Sequence, residues 1–184
     1  LEHLDRDAQH ALFVSQLQLA QAMELPALIH VRRAHAATIA LLKQHRPARG
    51  GIIHAFAGSY EEAREYLKLG FKLGLGGAPT WPQANRLRKV VARLPLDAIV
   101  LETDAPDMAP AMHPNQRNSP EHLPAICAAL ADLLGLPPGA KPLAVLCLGP
   151  VAEFYPAPML QLEGWTEPRP LSDMLYENVW GVSQ

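Results

Sequence analysis

Helical and strand-like periods alternate along this chain. Between positions 5 and 24 apolar residues recur at helical spacing, with Ala8, Leu12, Phe13, Leu17, Leu19, Ala20 and Met23 on a wide face and Asp7, His10, Gln18 and Gln21 opposite. Pro26–Arg32 (PALIHVR) is then a short apolar run closed by His30, the signature of a strand. Ala34–Arg46 returns to the helical pattern and stops at Pro47, and Gly50–Phe56 (GGIIHAF) is a second apolar run, closed by His54. Ser59 followed by Glu62 is a capping box that opens a third helix, with Gly70 as its left-handed stop. Phe71–Gly77 (FKLGLGG) predicts a third strand, dense in glycine as expected where backbone approaches a ligand or turns sharply. A loop holding Thr80, Trp81 and Pro82 leads to a fourth helix over Gln83–Leu94, ended by Pro95.

The most informative stretch is Ala98–Pro106, AIVLETDAP. Ala98 to Leu101, with Thr103, suits a strand buried on both faces, and Glu102 and Asp104 sit at its far end. Strands alternating with helices predict an α/β fold with a parallel sheet, whose carboxyl ends face the ligand crevice. His30, His54 and Asp104 would then converge on one rim, and imidazole with carboxylate is the ligand set of zinc or a similar divalent metal. The irregular loop 107–118, with His113, Arg117 and Asn118, is of the kind that carries function. Ser119 caps a last helix from Pro120 through Leu134 to Gly135. Beyond it the apolar segment PLAVLCLGPV lacks a helical period, and prolines crowd Pro137–Pro170. The chain therefore divides into an α/β domain over 1–136 and a proline-rich tail over 137–184.

Composition narrows the classes. The 184 residues, 49% hydrophobic and 18% charged, can bury the core of one domain. A formal net charge of −2 excludes a broadly basic nucleic-acid-coating protein, though a metal with a few local arginines would still hold a phosphodiester. Cys127 and Cys147 form no CxxC pair and no disulfide framework, which fits a reducing cytosol. The charged start LEHLDRDAQ and the absence of an apolar run near ~18 residues predict a cytoplasmic protein with no membrane partner. Gly74, Gly76 and Gly77 form no G-x-G-x-x-G before a helix, which argues against a dinucleotide.

The motifs PALIHVRRA, GIIHAFAGS, LKLGFKLGLGG, LPLDAIVLETDAPDM and RNSPEHLP, in this order and spacing, resemble the TatD family of metal-dependent hydrolases over roughly residues 5–136. LETDAPDM looks most like the bacterial subgroup described as deoxyribonucleases. The resemblance implies an amidohydrolase-like TIM (β/α)8 barrel with its site at the carboxyl ends of the strands. It implies one or two divalent metal ions (zinc, magnesium or manganese) and DNA or another phosphodiester as substrate. Carried over by position, His30, His54 and Asp104 are metal ligands, and Asp104 also takes a proton from the attacking water. Glu102 is the supporting acid beside it, with pairing to an arginine as the alternative. Arg32, Arg117 and Asn118 would orient the phosphate or its neighbours.

The family's opening His-x-His pair and its GEIGLD-like glutamate have no counterpart in this sequence, and four of eight strands are recognisable. The resemblance thus implies a partial barrel with an amino-terminal truncation, and the tail from Pro137 departs from the family pattern. The leading expectation is a metal-dependent phosphodiesterase of the deoxyribonuclease type, with its activity in so short a chain left open. Alternatives are a hydrolase of another ester, such as an aminoacyl ester on tRNA, and a non-catalytic half-barrel or interaction module. Exposed barrel edges in the latter invite self-association. A self-contained doubly wound module binding a small anion is a third reading. Trp81 is expected to pack on the rim in preference to stacking on a base, Arg33 to be solvated, and His3, His10, His35, His45, His113 and His122 to lie on the surface.

Overall fold

The computed structural model describes residues 5–136, so the reading of 137–184 as a separate tail lies outside the described residues. The elements are α1 (Arg6–Ala22), β1 (Ala27–His30), α2 (His35–Gln44), β2 (Gly51–His54), α3 (Tyr60–Lys68), β3 (Phe71–Leu75), α4 (Asn85–Val91), β4 (Ile99–Leu101) and α5 (Leu123–Leu133). Single 3-10 turns occupy Ala78–Thr80, Leu96–Ala98 and Pro120–His122. The sheet runs β1-β2-β3-β4 with every pair parallel. Spatial order therefore repeats chain order, as in a barrel wall, whereas a doubly wound sheet reverses order at a switch point. The described sheet is therefore not doubly wound, because its order has no switch point.

Register assigns the two faces. Ile29 pairs with Ile53, Ile53 with Leu73 and Leu73 with Ile99, so these four form one row. That row packs with Ile39, Leu42, Tyr66, Val91 and Ile126 of the helices. The alternate positions His30, His54, Gly74 and Val100, and Glu102 two residues on, belong to the opposite face. Burial on both faces, expected of Ala98–Leu101, is not what β4 shows: it is an edge strand whose three residues are each half-buried, and Leu28, on that second face of the other edge strand, β1, is 72% exposed.

Caps set the helix ends. Asp5 Oδ1 accepts the Asp7 and Ala8 N–H groups, each at 3.0 Å, and starts α1. Of the wide face read on α1 only Leu17 is buried, while Leu12 and Met23 are exposed. The capping box of α3 forms in full: Ser59 Oγ accepts Glu62 N–H at 3.2 Å and Glu62 Oε2 accepts Ser59 N–H at 2.6 Å. Gly70 follows with φ 86°, the left-handed stop. The fourth helix is shorter than its pattern because both ends close as tight turns, Ala84 N–H to Trp81 O and Leu94 N–H to Val91 O. Among the described residues no helix is long and apolar enough to cross a membrane.

Candidate metal centre

His30 closes β1 and His54 closes β2, and the two are register partners, so both rings rise from one face at the carboxyl pole with centroids 5.6 Å apart. Glu102 follows β4 on the same face, but β3 stands between it and His54. Contact across that strand needs a position without a side chain, and Gly74 provides it. A β-carbon built there would lie 2.3 Å from Glu102 Oε2. Through this gap Glu102 Oε2 reaches His54 Nδ1 at 2.8 Å, and Oε1 accepts the Ala55 N–H at 2.6 Å. Gly76 serves the same approach, since its β-carbon would meet the Glu102 carbonyl at 3.1 Å.

The other nitrogen of His54 faces Asp104. Nε2 and Asp104 Oδ1 are 2.9 Å apart, and the ring lies between two carboxylates. Desolvation alone would lower the pKa of His54. The hydrogen bonds and charges of Glu102 and Asp104 outweigh it and raise the pKa above the usual histidine value. Without a metal the ring is thus held toward the imidazolium form, donating from both nitrogens.

Backbone strain surrounds this cluster. Ala55, Asp104 and Met108 have φ of 47°, 58° and 54°, and Arg33 has 56°. The chain after β4 turns out of the sheet at Asp104 and is fixed from beneath by Asn118, which is 3% exposed. Asn118 Nδ2 donates to Thr103 O at 2.5 Å, Asp107 O at 2.7 Å and Met108 O at 3.3 Å. Its side chain is occupied with the loop that carries Asp104. Arg117, next to it, is exposed, as is Arg32 after β1. Glu102 pairs with His54 and with the Ala55 N–H. His122 departs from a surface placement: it is buried, stacked on His113 with centroids 3.9 Å apart, and its Nδ1 lies 3.0 Å from Asn118 Oδ1. Trp81 donates from Nε1 to Ala109 O at 3.0 Å, which ties its ring to the 107–118 loop.

Two ligands at ~2.1 Å from a metal stand about 3.0 Å apart when they bond at right angles and about 3.4 Å apart at a tetrahedral angle. The 2.9 Å between His54 Nε2 and Asp104 Oδ1 fits the first edge. Glu102 on Nδ1 is the carboxylate partner that such a histidine ligand carries. Among the described residues no group of three His, Cys, Asp or Glu side chains closes into a cage, so the fit is to one edge of a site. The sequence marked His54, Asp104 and Glu102 as neighbours, but not Gly74 and Ala55, whose parts depend on β3 separating the two carboxyl ends.

A family model described as TatD related DNase matches residues 2–141. The chain belongs to this TatD-related family. The metal-dependent hydrolase YjjV of Escherichia coli is 41% identical over 127 residues, which are 69% of this chain and 49% of that protein. A metal-dependent hydrolase of Haemophilus influenzae is 42% identical over 125 residues, 68% of this chain and 48% of that protein. The protein of Klebsiella pneumoniae named 3'-5' ssDNA/RNA exonuclease TatD is 37% identical over 136 residues, 69% of this chain and 51% of that one. The crystal structure of the Escherichia coli YjjV, a TatD homolog, superposes with a TM-score of 0.67 over 69% of this chain and 49% of that chain. A TatD-family hydrolase of Entamoeba histolytica shares the fold alone, with a TM-score of 0.61 at 21% identity over 74% of this chain and 54% of that one. The chain spans about half the length of the curated relatives it matches, and its parallel α/β sheet is part of a TIM barrel.

Proposed function

We propose that the site acts in metal-dependent hydrolysis of phosphodiester bonds, with a polynucleotide as substrate. The observation that carries the reading is the Glu102–His54–Asp104 line at the carboxyl pole of a barrel sheet, where such folds keep their chemistry. In this reading His54 Nε2 and Asp104 Oδ1, with His30 beside them, hold a divalent cation. Such a cation, when bound, polarises a phosphoryl oxygen and lowers the pKa of water. Glu102 accepts the Nδ1 proton of His54 and leaves the Nε2 lone pair facing the ligand. Asp104, partly exposed, holds the proton taken from the attacking water at its carboxylate, and Arg32 and Arg117 bind the phosphate from the rim. Residues 1–136 are the unit that carries this chemistry. The cytosol is the compartment, supported by Cys127 as a free, buried thiol.

The test is hydrolysis of bis(p-nitrophenyl) phosphate and of a labelled single-stranded oligonucleotide by the 184-residue chain with zinc, magnesium or manganese, beside His54→Ala and Asp104→Ala. Metal-dependent turnover lost in both variants supports the reading. Equal turnover in all three removes it.

A second reading is favoured by one observation. Leu28 and Leu25, 72% and 48% exposed, lie on and just before edge strand β1, close in sequence to the exposed Met23 that caps α1. An apolar edge of this kind supports pairing with another barrel segment, or with a second copy, as the state in which the site is completed. Sedimentation of the purified chain distinguishes a monomer from an associated form.

A further inference from the structure

His35 opens α2, and its place differs from the surface one expected from sequence. The residue is half-buried, with its ring edge-on to Phe56 and Tyr66 at centroid distances of 5.7 and 5.8 Å. Its Nδ1 lies 3.0 Å from the hydroxyl of Tyr66, a residue with no exposed surface. Burial lowers the pKa of His35 against a smaller pull from Glu62, so near neutral pH the ring is uncharged and carries one N–H. Burial, with the Glu62 charge, raises the pKa of Tyr66, which keeps its phenol proton. The Thr38 hydroxyl bonds the phenol oxygen in the sense that lowers that pKa, as a donor does, so the phenol's own proton is left for His35 Nδ1. Nδ1 is then the acceptor, and the proton of His35 sits on Nε2.

The second nitrogen of the ring turns the other way. Among the described residues no buried side-chain nitrogen or oxygen lacks a hydrogen-bond partner, and none meets His35 Nε2, so this N–H is open to solvent. His35 lines an open groove of about 800 Å³ together with His30, whose ring stands 5.6 Å from that of His54. The same walls carry Arg32, Arg33 and Arg86, and also Glu62, whose charge acts on both Arg86 and His35 and whose Oε2 accepts the Ser59 N–H at 2.6 Å. The three guanidinium groups are exposed on long stems, whereas two ring contacts and the phenol fix the His35 imidazole. A donor fixed in advance costs no reorganisation when charge develops on its acceptor. We propose that His35 donates its Nε2–H to a phosphoryl oxygen of the ester held at His54 and Asp104, and that Tyr66 is the positioning residue that keeps the proton on that nitrogen. The inference rests on the phosphodiesterase reading of the metal edge and adds a neutral hydrogen-bond donor to it, with no proton transferred from the ring.

The experiment joins nitrogen-15 NMR of the histidine rings to steady-state kinetics, both on the full chain. In the metal-free protein at slightly alkaline pH, His35 should show a bare Nδ1 and a protonated Nε2, and dimethyl phosphate added with magnesium should move the Nε2 resonance. In hydrolysis of bis(p-nitrophenyl) phosphate with metal, His35→Phe should lower kcat about a hundredfold and leave KM nearly unchanged. His35→Gln sets an amide N–H near the place of Nε2 and should recover most of that loss, whereas His35→Asn, which reaches only as far as Nδ1, should not. Tyr66→Phe should move the His35 proton toward Nδ1 in the spectrum and lower kcat by a smaller factor than His35→Phe. A proton on Nδ1 in the parent, no response of Nε2 to dimethyl phosphate, or equal kcat in His35→Phe and His35→Gln would each overturn the proposal. The two readings fail separately. The expected tautomer and Nε2 response without turnover removes the phosphodiesterase and leaves the donor standing. Equal turnover in the parent and all three His35 variants removes the donor alone.

Discussion

Replacing Gly74 with alanine tests how the site is built. The new methyl group would sit 2.3 Å from Glu102 Oε2 and 2.7 Å from its carboxyl carbon, on the buried strand β3. Relief requires the carboxylate to withdraw by about 1 Å to reach ordinary contact at ~3.5 Å. That movement stretches the 2.8 Å bond to His54 and the 2.6 Å bond to Ala55 beyond hydrogen-bonding range. Bonds to charged groups are worth about 1.5–3 kcal/mol each, and part of that returns through solvation of the displaced carboxylate. A loss of about 2–4 kcal/mol follows, or roughly 5–15 °C in Tm for a domain of this size. Urea unfolding of Gly74→Ala, Glu102→Ala and the double variant measures the coupling directly. Glu102→Ala removes the group that the methyl meets, so Gly74→Ala should cost at least about 1 kcal/mol less in that background. Equal costs in both backgrounds would refute the clash with Glu102 and with it the role given to Gly74.

Further outcomes follow from the same contacts. Asn118→Ala deprives three loop carbonyls of their donor and should cost about 1–3 kcal/mol, with faster proteolysis within 104–118 as the second readout. Ser59→Ala removes the α3 cap and should lower stability by about 1 kcal/mol in urea unfolding. Burial lowers the pKa of His35, against a smaller opposing pull from Glu62. The unfolded chain then takes up its proton first as pH falls below about 6.5, so this residue's contribution is present above that pH and declines toward the depressed folded value. His35→Phe should flatten that part of the stability curve measured by urea unfolding. His54 in the metal-free chain has the opposite sign: its raised pKa gives stability that is complete below about 6.5 and is lost as pH rises through the folded value. Asp104→Asn should narrow that window in the same unfolding series.

The strands were legible because each is a short apolar run closed by a polar residue, and the caps because Ser59 and Gly70 act within their own helix. His30, His54 and Asp104 could be placed on one pole from the alternation of elements alone. What the sequence left hidden depends on register between strands. Gly74 reads as a flexible position until β3 is seen to separate His54 from Glu102. Asn118 reads as a rim residue until the chain after Asp104 folds back over it, and His122 reads as surface until His113 stacks on it. The exposed side of α1 is not visible in the sequence, because periodicity reports which residues share a face and says nothing of which neighbour covers it.

The most direct measurement is anomalous diffraction from crystals grown with manganese or zinc. A peak at ~2.1 Å from both His54 Nε2 and Asp104 Oδ1, with Glu102 still on Nδ1, is the expected result. Metal bound only elsewhere, or His54 still donating to Asp104 at saturating metal, would contradict the assignment of this edge as a metal site.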